Sequence, residues 1–399
     1  MPPSSGKNKL IALFEHRTVQ VFFTTLAVSL FLFLALKTCI KAHRAAGYDF
    51  HSYLVAAKTI WHGHSPYVNL REFPYLYPLF LGFILIPMTG LSYSLACALW
   101  LLFNYLALGH LLKRLCAWIT PHADLNGKRV WAGVHCAIWL LIPALQNDFY
   151  NGQVNLIVLW LCALFFHAYA RDNKNLGSLC LAIAIAIKLY PAMFLFFLLI
   201  RGEYRVFLQT VVFSAVLCLI PGILIGSSIF PIYQNYLYEM VVHQFQGILG
   251  DEAFRIKLSV PGILFHYLPS QPRPLWLHLL LCAPVFALLI PAIRAYRPDR
   301  GLALFSVLCI GILLVQPISE MHHLVLLIPA AMLFILRMLD RSDAFFDHRF
   351  VALSLFSFFF YTGRANKPGP LLFMAVVVLF VAVLWEIRKQ EDNPRQKAE

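Results

Sequence analysis

The chain has 399 residues, of which 60% are hydrophobic and 13% charged, with a mean hydropathy of +0.71. Soluble domains carry about 25% charged residues, so this composition excludes a solvated globule of this size and predicts a polytopic membrane protein. The formal net charge of +13 does not point to nucleic acid, because Lys and Arg are scattered over short loops and tails, as membrane orientation demands.

Apolar runs near the roughly 20 residues that cross a bilayer recur along the chain. They fall at 18–37, 75–90, 92–112, 130–147, 153–170, 176–200, 205–227, 274–295, 302–318, 323–339, 347–362 and 369–387. They predict an all-α fold of about twelve transmembrane helices. A single integral-membrane domain over 1–399 is expected, with 17 N-terminal and about 12 C-terminal residues as tails. The first run, FFTTLAVSLFLFLAL, continues into LKTCIKAHRA without a small-residue cleavage site, which predicts an uncleaved helix.

Basic clusters give an orientation. Arg171/Lys174, Arg201/Arg205, Arg294/Arg297/Arg300, Arg337/Arg341/Arg349 and Arg388/Lys389/Arg395/Lys397 fall at every second membrane face, the face of Lys7, Lys9 and Arg17. The positive-inside rule assigns that face, and both termini, to the cytoplasm, and a bacterial plasma membrane is the expected location. Lys113, Arg114, Lys128 and Arg129 break the alternation, so either 75–112 crosses only once in net terms or the rule fails locally. Nine cysteines without C-x-x-C spacing or Cys/His arrays read as free thiols, with no metal site and no cofactor expected.

The first outer loop contains GYDFHSYLVAAKTIWHGHSPYVNL. Its DFHSYLVAAKTIW stretch predicts a short interfacial helix with Tyr53, Ile60 and Trp61 on an apolar side and His51, Ser52 and Lys58 on a wet one. Asp49 heads this helix, where a carboxylate serves as a cap or, at a lipid boundary, as a catalytic base. FPYLYP (73–78) then returns the chain to the membrane, bringing Tyr77 with it.

NDFYNGQVN (147–155) heads a later span on the same side. Gly152 permits a tight turn, and Gln153 and Asn155 offer neutral hydrogen-bonding groups. In LGSLCLAIAIAIKLYPAMFLFFLLI, Lys188 interrupts an apolar run at a cost of roughly 2.5–3.5 kcal/mol unless it meets water or an anion. Basic clusters at both ends and Pro191 predict a hairpin of two half-helices with Lys188 and Tyr190 at its tip. A snorkelling lysine and a phosphate ligand are the two readings. QPISEMHH (316–323) places Glu320 beside His322 and His323, donors for a phosphate or hydroxyl, with one ring facing a cavity while the other packs.

The order of GYDFHSYLVAAKTIWHGHSPY with YLYP, NGQVN, AIKLYP and PISEMHH resembles glycosyltransferase family 87, the polyprenol-phosphate-mannose-dependent α-mannosyltransferases of the C-type glycosyltransferase fold. The resemblance implies inverting transfer of a hexose, mannose in this family, from a polyprenyl-phosphate donor to a glycolipid or glycan acceptor at the outer membrane face. It implies Asp49 as general base, with Lys188, His322, His323 and Tyr190 at the donor phosphate. Gln153 and Asn155 would hold hydroxyls, and His51, Tyr53, Tyr77 and Glu320 are secondary candidates. Asp49-Phe50-His51 stands where the wider C-type pattern often shows Asp-x-Asp, which favours the metal-free variety. The 228–273 loop fits the family only through a short apolar helix after Ser259.

Two other classes compete. A secondary transporter or lipid-linked-sugar flippase also uses broken helices, but it places its ionisable groups at the midplane and shows related halves. A polysaccharide polymerase or ligase relies on an Arg-rich outer loop, and 228–273 holds only Arg255 and Arg273.

Overall fold

Each of the twelve apolar runs contains helix in a computed structural model of the chain, and the helices differ sharply in length. The structure describes residues 12–13, 15–44, 49–67, 75–123, 125–238, 258–267, 274–317, 319–340, 347–365 and 370–391. Lys7, Lys9, Gly47, Tyr48, Phe73, Pro74, Arg255, Arg273, Ile318, Arg341, Arg395 and Lys397 lie outside the described residues.

In chain order the helices are α1 (Arg17–Arg44), α2 (Asp49–Trp61), α3 (Leu79–Ile84), α4 (Tyr93–Ile119), α5 (Gly127–Leu140), α6 (Ile142–Asn151) and α7 (Asn155–Ala170). They continue as α8 (Lys174–Ile187), α9 (Met193–Ile200), α10 (Tyr204–Leu219), α11 (Gly222–Ile225), α12 (Ile229–Asn235), α13 (Val260–Tyr267) and α14 (Leu275–Arg294). The last are α15 (Gly301–Val315), α16 (Ile328–Leu339), α17 (His348–Ala365) and α18 (Pro370–Glu391). Among the described residues, six helical stretches are long and apolar enough to cross a membrane, or seven if the bent pair α5–α6 counts as one span. Four shorter apolar helices, at 155–170, 174–187, 190–200 and 301–315, supply much of the remainder.

The interior and the periphery separate cleanly. α15 and α16 are buried on almost every side, as is most of α7, so these helices read as uniformly apolar rather than striped. By contrast, only 11% of the most apolar window of α1 is buried, and 17% of that in the stretch Tyr204–Tyr238. Those two elements present apolar side chains outward, as lipid-facing helices do.

Three departures from the sequence reading matter for the site. Residues 75–90 form α3, only six residues long, and a 3-10 turn, Ile86–Gly90. A six-residue helix rises about 9 Å and cannot cross. α4 starts beside His51 and carries Lys113 and Arg114 toward its far end, away from Asp49, which fits the reading of 75–112 as one net crossing. Arg129 is buried and paired with Glu15 at 2.9 Å, not part of a solvated cluster. Finally, helix persists through the start of the supposed 228–273 loop as α12.

The α7–α9 region sets the membrane depth of the chemistry. α7 begins at Asn155 and ends near Tyr169, whose hydroxyl donates to Glu203 at 3.1 Å. Lys174, the first residue of α8, reaches the same Glu203 carboxylate at 3.0 Å. Both ends of the α8–α9 hairpin are thus tied together at one face, and its tip is left at the other, as predicted.

Candidate active site

Asp49 is the first residue of α2. The buried side of this helix, Phe50, Tyr53, Leu54, Ala56, Ala57 and Ile60, packs on protein rather than lipid. Gly82 of α3 lets the two helices meet, since a Cβ there would stand 2.7 Å from Ile60 Cδ1. Of the three residues expected on the apolar side, Tyr53 and Ile60 are buried and Trp61 is 57% exposed. His51 lies on the exposed face with its ring edge-on to Tyr93, 5.5 Å away, and is not drawn into the cluster described below.

The α6–α7 junction delivers two amides to this helix start. α5 and α6 meet at a 65° bend beside Pro143, which turns α6 across the bundle. Gly152 ends α6 with φ +64°, a left-handed conformation that Gly adopts without penalty. Its carbonyl accepts from buried Trp100 Nε1 at 2.8 Å, and Gln153 N–H donates to the Asp148 carbonyl at 3.0 Å. Gln153 Nε2 then donates to Asp49 Oδ2. The Gln153 Oε1 accepts from Tyr77 Oη at 3.1 Å, and Tyr53 Oη donates to Tyr77 Oη at 2.8 Å. Burial, reinforced by the negative charge of Asp49, holds the Tyr77 phenol protonated, so the chain Tyr53, Tyr77, Gln153, Asp49 has one direction of donation.

Lys188 follows α8 with an extended backbone. Its Nζ donates to Asn155 Oδ1 at 2.8 Å and lies 3.1 Å from His323 Nε2. The Tyr77 and Tyr190 rings flank the ammonium at 5.2 and 5.3 Å from their centroids. Tyr77 therefore touches both halves of the cluster, the Asp49 side through Gln153 and the Lys188 side through its ring.

His322 and His323 sit in a buried 3-10 helix, Met321–Leu327, that runs directly into α16. Glu320 N–H donates to His323 Nδ1 at 3.0 Å, which leaves Nε2 as the protonated nitrogen of a neutral ring. With Nε2 protonated, the 3.1 Å approach of Lys188 Nζ sets two donors side by side, not in a hydrogen bond with each other. His322 stands 3.6 Å from the Glu320 carboxylate and against the His323 ring, 4.2 Å between centroids. Burial and the charge of Asp49 push the Glu320 carboxyl up to about 7, with Lys188 acting in the opposite sense.

Apart from His51, the expected polar residues thus meet in one cluster, with two changes of role. The Gln153 and Asn155 side chains are committed to Asp49 and Lys188, so they orient charged groups rather than stand open for hydroxyls. Asp148 is a member that the sequence reading missed. It is fully buried, and its Oδ1 accepts from Asn155 Nδ2 at 2.9 Å. The signal for it is an acid at the end of an apolar run, four residues before Gly152. Among the described residues no three His, Cys, Asp or Glu side chains gather closely enough to hold a metal ion. Ser259 caps the short helix α13 by accepting from Gly262 N–H at 3.1 Å, and Leu258 N–H donates to the Ser319 carbonyl at 3.0 Å.

A family model described as glycosyltransferase family 87 matches residues 75–317, more than half of the chain. The chain belongs to glycosyltransferase family 87. This family 87 member is 28% identical over 281 residues to a polyprenol-phosphate-mannose-dependent alpha-(1-2)-phosphatidylinositol mannoside mannosyltransferase of Mycolicibacterium smegmatis, covering 65% of this chain and 61% of that one. The protein of the same description in Mycobacterium tuberculosis H37Rv is 26% identical over 230 residues, 54% of this chain and 50% of that one. A pentamannoside mannosyltransferase of the CDC 1551 strain is 27% identical, covering 70% of this chain and 64% of its own. The chain thus spans between half and just under two thirds of the length of these relatives.

Among solved structures, the family 87 chain is similar to ArnT from Cupriavidus metallidurans bound to undecaprenyl phosphate, with a TM-score of 0.48 and 13% identity over 91% of this chain and 75% of that one. The apo state of ArnT gives 0.39 and 15% identity, covering 91% of this chain and 76% of that one. Asp49, His322 and His323 lie outside the stretch matched by the family model, so their place in the site rests on the geometry above.

Proposed function

We propose that this chain transfers a hexose, mannose by the names of its relatives, from a polyprenyl-phosphate donor to a glycolipid or glycan acceptor at the outer membrane face, within a C-type fold. The observation that carries this reading is the shared cluster. A carboxylate on α2 and two convergent donors, Lys188 and His323, are linked through Gln153 and Tyr77. Paired donors without a counter-charge between them suit an anionic oxygen, and the oxygens of a lipid phosphate supply one.

The roles follow from the chemistry. The acceptor O–H loses its proton to Asp49 as its oxygen forms a bond to the anomeric carbon. The bond from that carbon to the phosphate oxygen breaks, and the departing polyprenyl phosphate takes the electron pair. Its added charge is met by Lys188 Nζ and His323 Nε2. A single displacement turns a β-linked donor into an α-linked product. Gln153 holds the Asp49 carboxylate in register with the attacking oxygen, and Tyr190 helps confine the ammonium.

Purified protein in liposomes, given polyprenyl-phosphate-mannose and glycolipid acceptors, tests the reading. Sugar transfer by wild type, lost on the order of 10²–10⁴-fold in Asp49→Asn, is the expected result. Undiminished transfer by that variant removes Asp49 from the chemistry. Lipid movement across the vesicle without sugar transfer would replace the reading with a flippase.

A further inference from the structure

Asp148 sits beneath both branches of the cluster. Its backbone carbonyl receives Gln153 N–H at 3.0 Å, and its carboxylate receives Asn155 Nδ2 at 2.9 Å. The side chain is 0% exposed, and its Oδ2 has no hydrogen-bond partner. A buried carboxylate is costly to keep unless its position does something for its neighbours.

An amide such as that of Asn155 can turn either end toward Lys188. With its oxygen toward Lys188 it accepts from the ammonium; with its NH₂ group there it would oppose three N–H donors. In its ionised form Asp148 accepts only, so it binds the NH₂ end and leaves the oxygen facing Lys188, 2.8 Å from Nζ. The acid thereby selects one of two amide orientations by a contact made away from the ligand.

We infer that Asp148 is a positioning residue for the lipid phosphate: its carboxylate fixes the Asn155 amide, which in turn anchors the Lys188 ammonium beside His323. The inference rests on the reading of Lys188 as a phosphate ligand. It adds a requirement that no direct contact with substrate would reveal. A substitution that keeps an acceptor at Oδ1 preserves the arrangement, and one that removes the acceptor frees the amide to turn.

The test measures binding of undecaprenyl phosphate and of undecaprenol, the same lipid without phosphate, to full-length protein in detergent. Wild type should prefer the phosphate. Asp148→Ala should lose at least about tenfold of that preference with undecaprenol binding unchanged, and Asp148→Asn, which keeps an oxygen for Asn155, should retain it within about threefold. Asn155→Ala should match Asp148→Ala, and the double variant should lose no more than either, as expected for one shared contact. Thermal unfolding is followed in parallel, so a variant that fails to fold is recognised and the Asp148→Asn and Asn155→Ala arms decide.

An Asp148→Ala protein that keeps the full preference, or additive losses in the double variant, overturns the inference about Asp148. A wild type that binds both lipids equally would instead remove the phosphate reading of the Lys188 site itself.

Discussion

Gln153 joins Asp49 to Tyr77, giving its amide hydrogen to the carboxylate and taking the phenol hydrogen at 3.1 Å on its oxygen. The amide therefore cannot turn over without breaking two hydrogen bonds, and the Asp49 oxygen it holds is fixed in direction. The Asp49 carboxylate is then held in a defined orientation through one of its two oxygens, as the proposed role of base requires.

Replacing Gln153 with Ala should leave substrate binding near normal and lower kcat. A hydrogen bond to a charged group contributes about 1.5–3 kcal/mol, which corresponds to roughly ten- to a hundredfold in rate. Steady-state transfer kinetics would show it. A rise in KM at constant kcat would mean that Gln153 contacts substrate directly.

Lys188→Ala should raise the donor KM by at least about tenfold while leaving the acceptor KM within a factor of about two, because only the donor brings the phosphate. Separate titrations of donor and acceptor provide the check. Equal losses for both would mark Lys188 as a folding residue.

Glu320 gives a pH signature. Its carboxyl titrates at about 7 in the folded protein against an ordinary value of 4.5. Between these values the folded chain keeps a proton that the unfolded chain has released, so this group's contribution to stability falls as pH rises through that window and levels off above it. Glu320→Gln stays neutral and should flatten that fall, by about 1–3 kcal/mol across the window. Unfolding in detergent at pH values of about 4.5 and about 7.5 measures the difference between the two proteins, and identical pH dependence would contradict the burial argument.

Gly152→Ala places a Cβ on a residue at φ +64°. The left-handed conformation costs a non-glycine residue about 1–2 kcal/mol, which should lower Tm by about 2–4 °C. Transfer should fall as well, because the neighbouring Gln153 is displaced from Asp49. A variant with unchanged Tm and activity would show that the α6–α7 turn tolerates another shape.

Much of this was legible in the chain itself. Hydropathy located the main helices, and the basic clusters flanking 176–200 were enough to read Lys188 as the tip of a hairpin. Composition could not distinguish a crossing from a shallow re-entry, because 75–90 is as apolar as a span but is broken into pieces by its own backbone. Nor could it say which partners the amides would choose. Gln153 and Asn155 read as open ligands in sequence, since their commitment to Asp49 and Lys188 arises from contacts 104 and 33 residues apart. Asp148 escaped notice although its contacts are local, because its importance lies in what it holds.

The hairpin has a further consequence for the surrounding lipid. α8 contains 14 residues, and even standing upright it rises only about 21 Å, short of the roughly 30 Å hydrocarbon slab. With its base at one boundary of that slab, the tip falls short of the other, so under the proposed function a donor phosphate descends or the bilayer dimples to meet it. On that reading, acyl-chain length in the host membrane should tune turnover, faster in thin bilayers than where long, ordered chains resist the deformation.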